Sequence, residues 1–191
     1  MSKNRLEAFS DGVIAIIITI MVLELKIPLG HDFESLKPIL PVFLGYVLSF
    51  VFIGIYWNNH HHLLQATHKV NGPILWANMH LLFWLSLVPF VTNWMSESNF
   101  AALPVALYGV VLFFTAVAYF FLSQTLLAHH GANSTLSKAL GSDTKGRISL
   151  GIYALAILVS FFVSWLAIVF YIFVTIMWLI PDRRIEETMV K

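Results

Sequence analysis

The sequence predicts an all-α membrane protein with six transmembrane helices per subunit. Of its 191 residues, 59% are hydrophobic and 11% are charged, whereas soluble domains carry about 25% charged residues. Apolar runs long enough to cross a bilayer recur along the chain, and polar loops separate them. Because the chain contains no cysteine, disulfides, zinc–thiolate sites and iron–sulfur clusters are excluded. We therefore expect a single transmembrane domain over residues 1–191.

The first predicted span covers about residues 5–25, and its apolar core is short. That core runs from Gly12 to Leu23, which at about 1.5 Å per residue is roughly 18 Å of helix. Because a hydrocarbon core is about 30 Å thick, Asp11 and Glu24 fall at membrane depth or at its edge. Ionisable groups at that depth face protein or water rather than lipid. The pattern indicates a helix that lines a water path.

The other spans are predicted at about 36–64, 73–95, 101–128, 146–163 and 166–181. Pro89 and Pro104 lie within two of these spans and are expected to kink them. The last apolar stretch, Ile148 to Ile180, has 33 residues, or roughly 50 Å as a single helix. That length exceeds one crossing, so we divide the stretch at Ser164-Trp165. An undivided stretch would make five spans, which is the alternative count.

The loop charges favour six spans. With six, nine of the eleven basic residues lie on one side of the membrane. The positive-inside rule then predicts a multi-pass protein of the cell membrane with both termini in the cytoplasm. With five spans, the basic residues at the C-terminus would be translocated and the bias would weaken. The basic side holds Lys3, Arg5, Lys69, Lys138, Lys145, Arg147, Arg183, Arg184 and Lys191, and the other side holds Lys26 and Lys37.

Within the first helix, Phe9, Ile16, Ile20 and Leu23 form an apolar stripe at helical spacing, with Thr19 beside it. One interpretation is a core stripe that packs against other helices of the same chain. The other is a pore, in which copies of the stripe face one another in a symmetric ring of subunits. Rings of isoleucine or leucine make constrictions that gate by dewetting or force an ion to shed water. The acidic ends and short apolar length favour the pore, where Thr19 would offer a hydroxyl to a partly dehydrated cation.

The buried carboxylate of this helix needs donors from other helices. Trp57, His60 and Asn78 each have a donor to offer Asp11, which predicts a hydrogen-bond network that fixes helix packing. The run His60-His61-His62 does not indicate a metal site, because consecutive helical residues point about 100° apart. His80 lacks a matched second histidine for haem. We expect no metal, no cofactor, no nucleic-acid partner and no enzymatic activity, with His60 facing inward and its neighbours solvated.

Several motifs resemble one known family. Arg5-x-x-x-Phe9-Ser10-Asp11 at the start of the first helix resembles the signature of the transmembrane protein 175 family, the lysosomal-type potassium channels. Trp57-Asn-Asn-His60 followed by Leu63-Leu64-Gln65 resembles the ending of that family's second span. Asn78 and Val88-Pro89-Phe90 resemble its third span. The single six-span repeat is similar to the prokaryotic members, whereas animal members carry two.

This resemblance implies a homotetramer in the lipid bilayer, with the first helix lining a central pore and no P-loop filter. It implies conduction of potassium, a monovalent cation, past a hydrophobic constriction. It places that constriction on Ile16, seven residues after Phe9, with Ile20 and Leu23 as the next layers and Thr19 matching a threonine of relatives. The implied structural motif network consists of Arg5, Phe9, Ser10, Asp11, Trp57, His60 and Asn78.

Two other functions remain open from the residues alone. A proton-coupled secondary transporter would use Asp11, His60 and Glu24 as a relay across each subunit. A membrane enzyme or haem protein is the second rival.

Overall fold

The computed structural model describes residues 2–67, 69–130 and 144–179, and all regular structure within these ranges is helical. The all-α fold class is therefore confirmed. Seven α-helices and one short 3-10 helix follow one another in these ranges. They are α1 (Lys3–Leu23), the 3-10 helix (Phe33–Ile39), α2 (Leu40–Gln65), α3 (Gly72–Ser86), α4 (Val88–Glu97), α5 (Ala102–His130), α6 (Thr144–Ser160) and α7 (Ser164–Leu179).

Four helical segments within the described ranges are long and apolar enough to cross a membrane. The two helices after α5 are shorter, with 17 residues in α6 and 16 in α7, so six crossings stays a prediction. Lys138, Arg183, Arg184, Lys191 and the end of the last predicted span lie outside the described residues. The four long segments are Lys3–Leu23, Phe33–Gln65, Gly72–Glu97 and Ala102–His130.

The last apolar stretch is divided into two helices, slightly earlier than expected. The chain turns at residues 161–163 rather than at Ser164-Trp165, because α6 already ends at Ser160. The Ser160 hydroxyl donates to the Ile157 carbonyl at 2.7 Å. The amides of Phe162 and Val163 both donate to the Val159 carbonyl, at 2.9 and 2.8 Å, and close the turn.

The third predicted span is two helices instead of one. Helix α3 ends at Ser86, and α4 begins at Val88 with Pro89 in its first turn. Proline has no amide hydrogen and its ring clashes with the preceding turn, so a helix breaks or kinks there. Pro104 has no such effect, because it lies in the first turn of the uninterrupted helix α5.

Helix α5 is the centre of the fold and packs against α3, α4, α6 and α7. Where α5 meets α2 and α4, three hydroxyls form a buried hydrogen-bond chain. The Ser49 hydroxyl lies 3.0 Å from that of Tyr108 and 2.7 Å from that of Thr92. Because Thr92 donates to the Val88 carbonyl at 2.7 Å, Ser49 must donate to Thr92 and Tyr108 to Ser49.

Helix α1 packs on α2, α3 and α4, which leaves its remaining face without a partner from its own chain.

The contact between α2 and α4 depends on a glycine. A Cβ atom added at Gly45 would lie 2.0 Å from Ser96 Oγ. We expect Gly45→Ala to destabilise the protein by about 1 kcal/mol, the low end of the cost of overpacking a core, because Ser96 Oγ can rotate away whereas Ser96 Cβ stays 3.3 Å from the added atom. The measurement is the thermal unfolding midpoint of the purified protein in detergent.

Gly54→Ala is the matched control, because Gly54 lies on the same helix and nothing is within 4 Å of an added Cβ. Equal unfolding midpoints for the two variants would contradict this description of the contact.

Candidate functional site on the first helix

Helix α1 has two distinct faces. One face enters the core of the subunit through Leu6, Ser10, Ile14, Ile17 and Met21. The stripe singled out from the sequence lies on the other face, where Ile16 is 58%, Ile20 43% and Leu23 80% exposed. The core-stripe interpretation is therefore wrong within the subunit, because a different set of residues does that packing.

Thr19 lies on the same exposed face. Its hydroxyl donates to the Ile16 carbonyl at 2.8 Å. This bond uses the only proton of the hydroxyl, and the oxygen keeps a lone pair with which to accept a bond or bind a cation. The exposed face thus combines apolar layers with one oxygen ligand.

The buried face of α1 is tied to α2 and α3 by a directed chain of hydrogen bonds. Ser10 donates to the Leu6 carbonyl at 2.8 Å, so its oxygen must accept from Asn78 Nδ2, 3.0 Å away. Asn78 Oδ1 then accepts from His60 Nε2 at 2.7 Å. All three side chains are at most 1% exposed. The histidine ring is therefore protonated on Nε2, and its Nδ1 is buried without a hydrogen-bond partner.

Asp11 belongs to a separate polar cluster at the edge of the subunit. Its carboxylate accepts from Trp57 Nε1 at 3.0 Å. The other two expected donors, His60 and Asn78, bind along the Ser10 chain instead, because Ser10 faces the core and Asp11 does not. Trp57 stacks on His61 with 6.1 Å between ring centroids. The two clusters lie one residue apart on α1.

Two residues that the family resemblance places in the network, Arg5 and Phe9, form none of its hydrogen bonds within the subunit. Arg5 is exposed, and its side chain forms no hydrogen bond or ion pair in the part of the chain that the structure describes. Phe9 is 48% exposed. Both project from the surface that the rest of the subunit leaves uncovered.

The histidine cluster differs in part from the expectation. His60 is buried, but His61 and His62 are half-buried rather than solvated. His61 Nδ1 lies 3.4 Å from a carboxylate oxygen of Glu7, and Gln65 Nε2 lies 2.9 Å from His61 Nε2. No group of three metal-ligating side chains occurs among the described residues. His68 lies outside them.

At the opposite end of α1, the site continues onto α4. Glu24 directly follows the helix and accepts from Asn93 Nδ2 at 3.0 Å. Nearby, Lys26 forms an ion pair with Glu97. The hydrogen bond and charge of Glu97 raise the pKa of the exposed Lys26 ammonium above its usual value.

A groove of about 760 Å³ runs between α1 and α4. Ile16 and Ile20 line one wall, and Phe90 and Trp94 line the other. Phe90 is 63% exposed. The sequence analysis did not assign Phe90 and Trp94 to a groove, although both lie in the turns that follow the kink expected at Pro89.

Comparisons with known proteins resolve the family of this chain. The family model described as endosomal/lysosomal potassium channel TMEM175 matches residues 5–89. A protein of Chryseobacterium sp. named as a potassium channel is 57% identical over 189 residues, covering 99% of this chain and 98% of that protein. The chain belongs to the TMEM175 family. The matched range contains the motif of α1, its exposed stripe and the buried partners of Ser10.

Two further findings extend the TMEM175 likeness to the whole fold. A potassium channel of Chamaesiphon minutus is 32% identical over 182 residues, covering 86% of this chain and 87% of that protein. The crystal structure of a lysosomal potassium-selective channel TMEM175 homolog from the same organism superposes with a TM-score of 0.76 at 26% identity. That match covers 93% of this chain and 96% of the other, so it includes helices beyond the range of the family model.

Proposed function

We propose that this TMEM175 protein is a homotetrameric, potassium-permeable cation channel whose pore is lined by α1. The observation that carries the proposal is the exposure of Ile16, Ile20 and Leu23 on a helix whose opposite face is buried. The relatives from Chryseobacterium and Chamaesiphon are named as potassium channels, which supports potassium as the permeant ion. Those names also fit a non-enzymatic role.

The constriction would consist of successive layers of Ile16, Ile20 and Leu23 side chains from each subunit. Apolar rings of this kind resist wetting and admit an ion only after it loses water. The Thr19 oxygen lies between the isoleucine layers and would replace part of the lost hydration. Glu24, just beyond Leu23, would raise the local concentration of cations at that mouth.

The groove between α1 and α4 would receive a neighbouring subunit. It is apolar along Ile16, Ile20 and Phe90, and an apolar groove beside a pore helix would be costly to leave wet. In a closed ring each subunit offers the same surface to the next, so one interface repeats around the axis.

The proposed orientation in the cell membrane has both termini in the cytoplasm. Lys3 Nζ donates to the Gln65 carbonyl at 3.2 Å, and the Lys69 amide contacts His130 Nε2 at 3.5 Å. These contacts bring Lys3 and Lys69 to the same end of the helices, whereas Lys26 pairs with Glu97 at the other end. The positive-inside rule assigns the end with more basic residues to the cytoplasm.

Two measurements test the proposal directly. Native mass spectrometry of the detergent-solubilised protein should give a mass of four chains, and liposomes containing it should release potassium down its gradient. A monomer that conducts, or a tetramer with no flux, would overturn it.

The alternative is a proton-coupled secondary transporter using Asp11, His60 and Glu24. In the described residues these groups bind different partners, namely Trp57, Asn78 and Asn93, and no hydrogen bond joins them. Flux against a gradient separates the two functions, since a channel dissipates a potassium or proton gradient but never builds one. Uphill accumulation would favour the transporter.

Asp11 is expected to contribute to assembly more than to ion preference. Asp11→Ala removes the acceptor of the bond from Trp57 Nε1; a hydrogen bond to a charged group contributes about 1.5–3 kcal/mol. We therefore expect a lower yield of tetramer in size-exclusion chromatography, with the potassium-to-sodium permeability ratio unchanged in the tetramer that forms.

Trp57→Phe removes the same bond from its other side and serves as the matched variant. A full yield of tetramer with an altered permeability ratio would assign Asp11 to the ion path instead.

A further inference from the structure

A partly open cavity of about 130 Å³ lies away from α1, among α2, α5, α6 and α7. Helix α6 packs on α5 and α7, but it makes few contacts with α2, so the cavity occupies the gap between these two helices. Its size is close to that of an engineered cavity of about 150 Å³ that admits benzene. The wall is mainly aromatic and aliphatic, including Phe52, Phe120, Leu150 and Val174.

One hydroxyl in this cavity has no hydrogen-bond partner among the described residues. Tyr153 lines the wall and is 2% exposed as a residue, and no hydrogen bond between described residues involves its hydroxyl. The buried tyrosines nearby differ, since Tyr108 binds Ser49 and Tyr171 donates to the Val105 carbonyl. A buried hydroxyl without a hydrogen bond costs free energy, so the position suits a ligand that carries an acceptor.

The cavity also has a charged end. Arg147, in the first turns of α6, lines it and is exposed. Tyr153 lies six residues further along the same helix, about 9 Å deeper. Along α6, the lining therefore runs from the guanidinium of Arg147 at the outer end, past Leu150, to Tyr153.

We propose that this cavity binds the ester group and first acyl carbons of an anionic glycerophospholipid, whose phosphate lies outside the cavity at the exposed Arg147. The phosphate would pair with Arg147, whose planar fork of donors suits phosphate. An ester carbonyl would accept from Tyr153, and the first carbons of the acyl chain would fill the apolar space. The gap between α2 and α6 is the route by which a lipid would enter from the bilayer.

Lipid retention tests this site. The protein is reconstituted in equal amounts of phosphatidylglycerol and phosphatidylcholine, extracted again, and its bound lipid is measured by mass spectrometry. We expect phosphatidylglycerol to be retained in preference. Arg147→Gln should reduce that retention about tenfold, the loss expected for one charge-assisted hydrogen bond.

Lys145→Gln is the charge-matched control, because Lys145 lies on the same turn of α6 and does not line the cavity. Tyr153→Phe removes only the hydroxyl, and Ala116→Phe fills the space; both should lower retention. The proposal is overturned by equal retention of the two lipids, by equal losses in the Arg147 and Lys145 variants, or by full retention in Tyr153→Phe. If Ala116→Phe does not fold, lipid retention by Tyr153→Phe, which lacks a single oxygen atom, still tests the site.

Discussion

Replacing Ile16 by asparagine is expected to raise potassium conductance about tenfold and to weaken ion preference. Ile16 is 58% exposed on α1 and would form the first apolar layer of the proposed pore. A carboxamide there would hydrate the layer, and a decrease of about 1.4 kcal/mol in the barrier corresponds to a tenfold faster passage. The measurement is the potassium and sodium flux of the variant tetramer in liposomes.

Ile176→Asn is the matched control for that experiment. Ile176 lies on α7 and is 55% exposed, so the chemical change and the exposure are nearly the same at a position far from α1 in sequence. We expect its flux to equal that of the unaltered protein. Conductance that is unchanged in Ile16→Asn, or raised equally in both variants, would count against α1 as the pore helix.

Replacing Asn78 by leucine is expected to destabilise the subunit by about 2–6 kcal/mol, the sum for two buried polar groups left unpaired. Asn78 donates to Ser10 and accepts from His60, and all three residues lie in the core. The change would remove both bonds at once and detach α1 from α2 and α3. The thermal unfolding midpoint and the recovery of folded protein after extraction measure the effect.

Asn59→Leu is the control for this second variant. Asn59 is half-buried, and among the described residues its side-chain amide binds only the Ile55 carbonyl, one turn earlier on its own helix, at 2.9 Å. We expect a much smaller loss of stability. The loss of stability in the double variant Asn78→Leu, Ser10→Ala should be clearly smaller than the sum of the two single losses, since the two side chains share one hydrogen bond. Additive effects would show that the chain contributes little.

Much of the fold was predictable, because long apolar runs predict membrane-spanning helices and prolines predict where helices are interrupted. The long helices occur close to the expected positions, and the last stretch divides near Ser164. The interruption between α3 and α4 lies beside Pro89, where a kink was expected, although the apolar run continues across Ser86 and Leu87. Pro89 carried the signal, and a proline there places the boundary just before it.

The sequence motifs indicated one network that includes Ser10, Asp11, Trp57, His60 and Asn78, but they did not predict which of these side chains pair. Asp11 attracted attention as the charged group, yet Ser10 is the residue that shares a face with Leu6 and Ile14. That face could be predicted from the spacing of four residues between its members. The cavity around Tyr153 could not be predicted, because it depends on the distance between α2 and α6. That distance depends on helix packing rather than on local sequence pattern.

The hydrogen-bond chain through Ser10, Asn78 and His60 is also a poor path for proton transfer. Every bond in it points the same way, and its middle member is a carboxamide, which neither gains nor loses charge near neutral pH. A proton hopping along it would have to charge that amide. The hydrogen-bond chain that joins three helices therefore offers no route for protons through the core of the subunit.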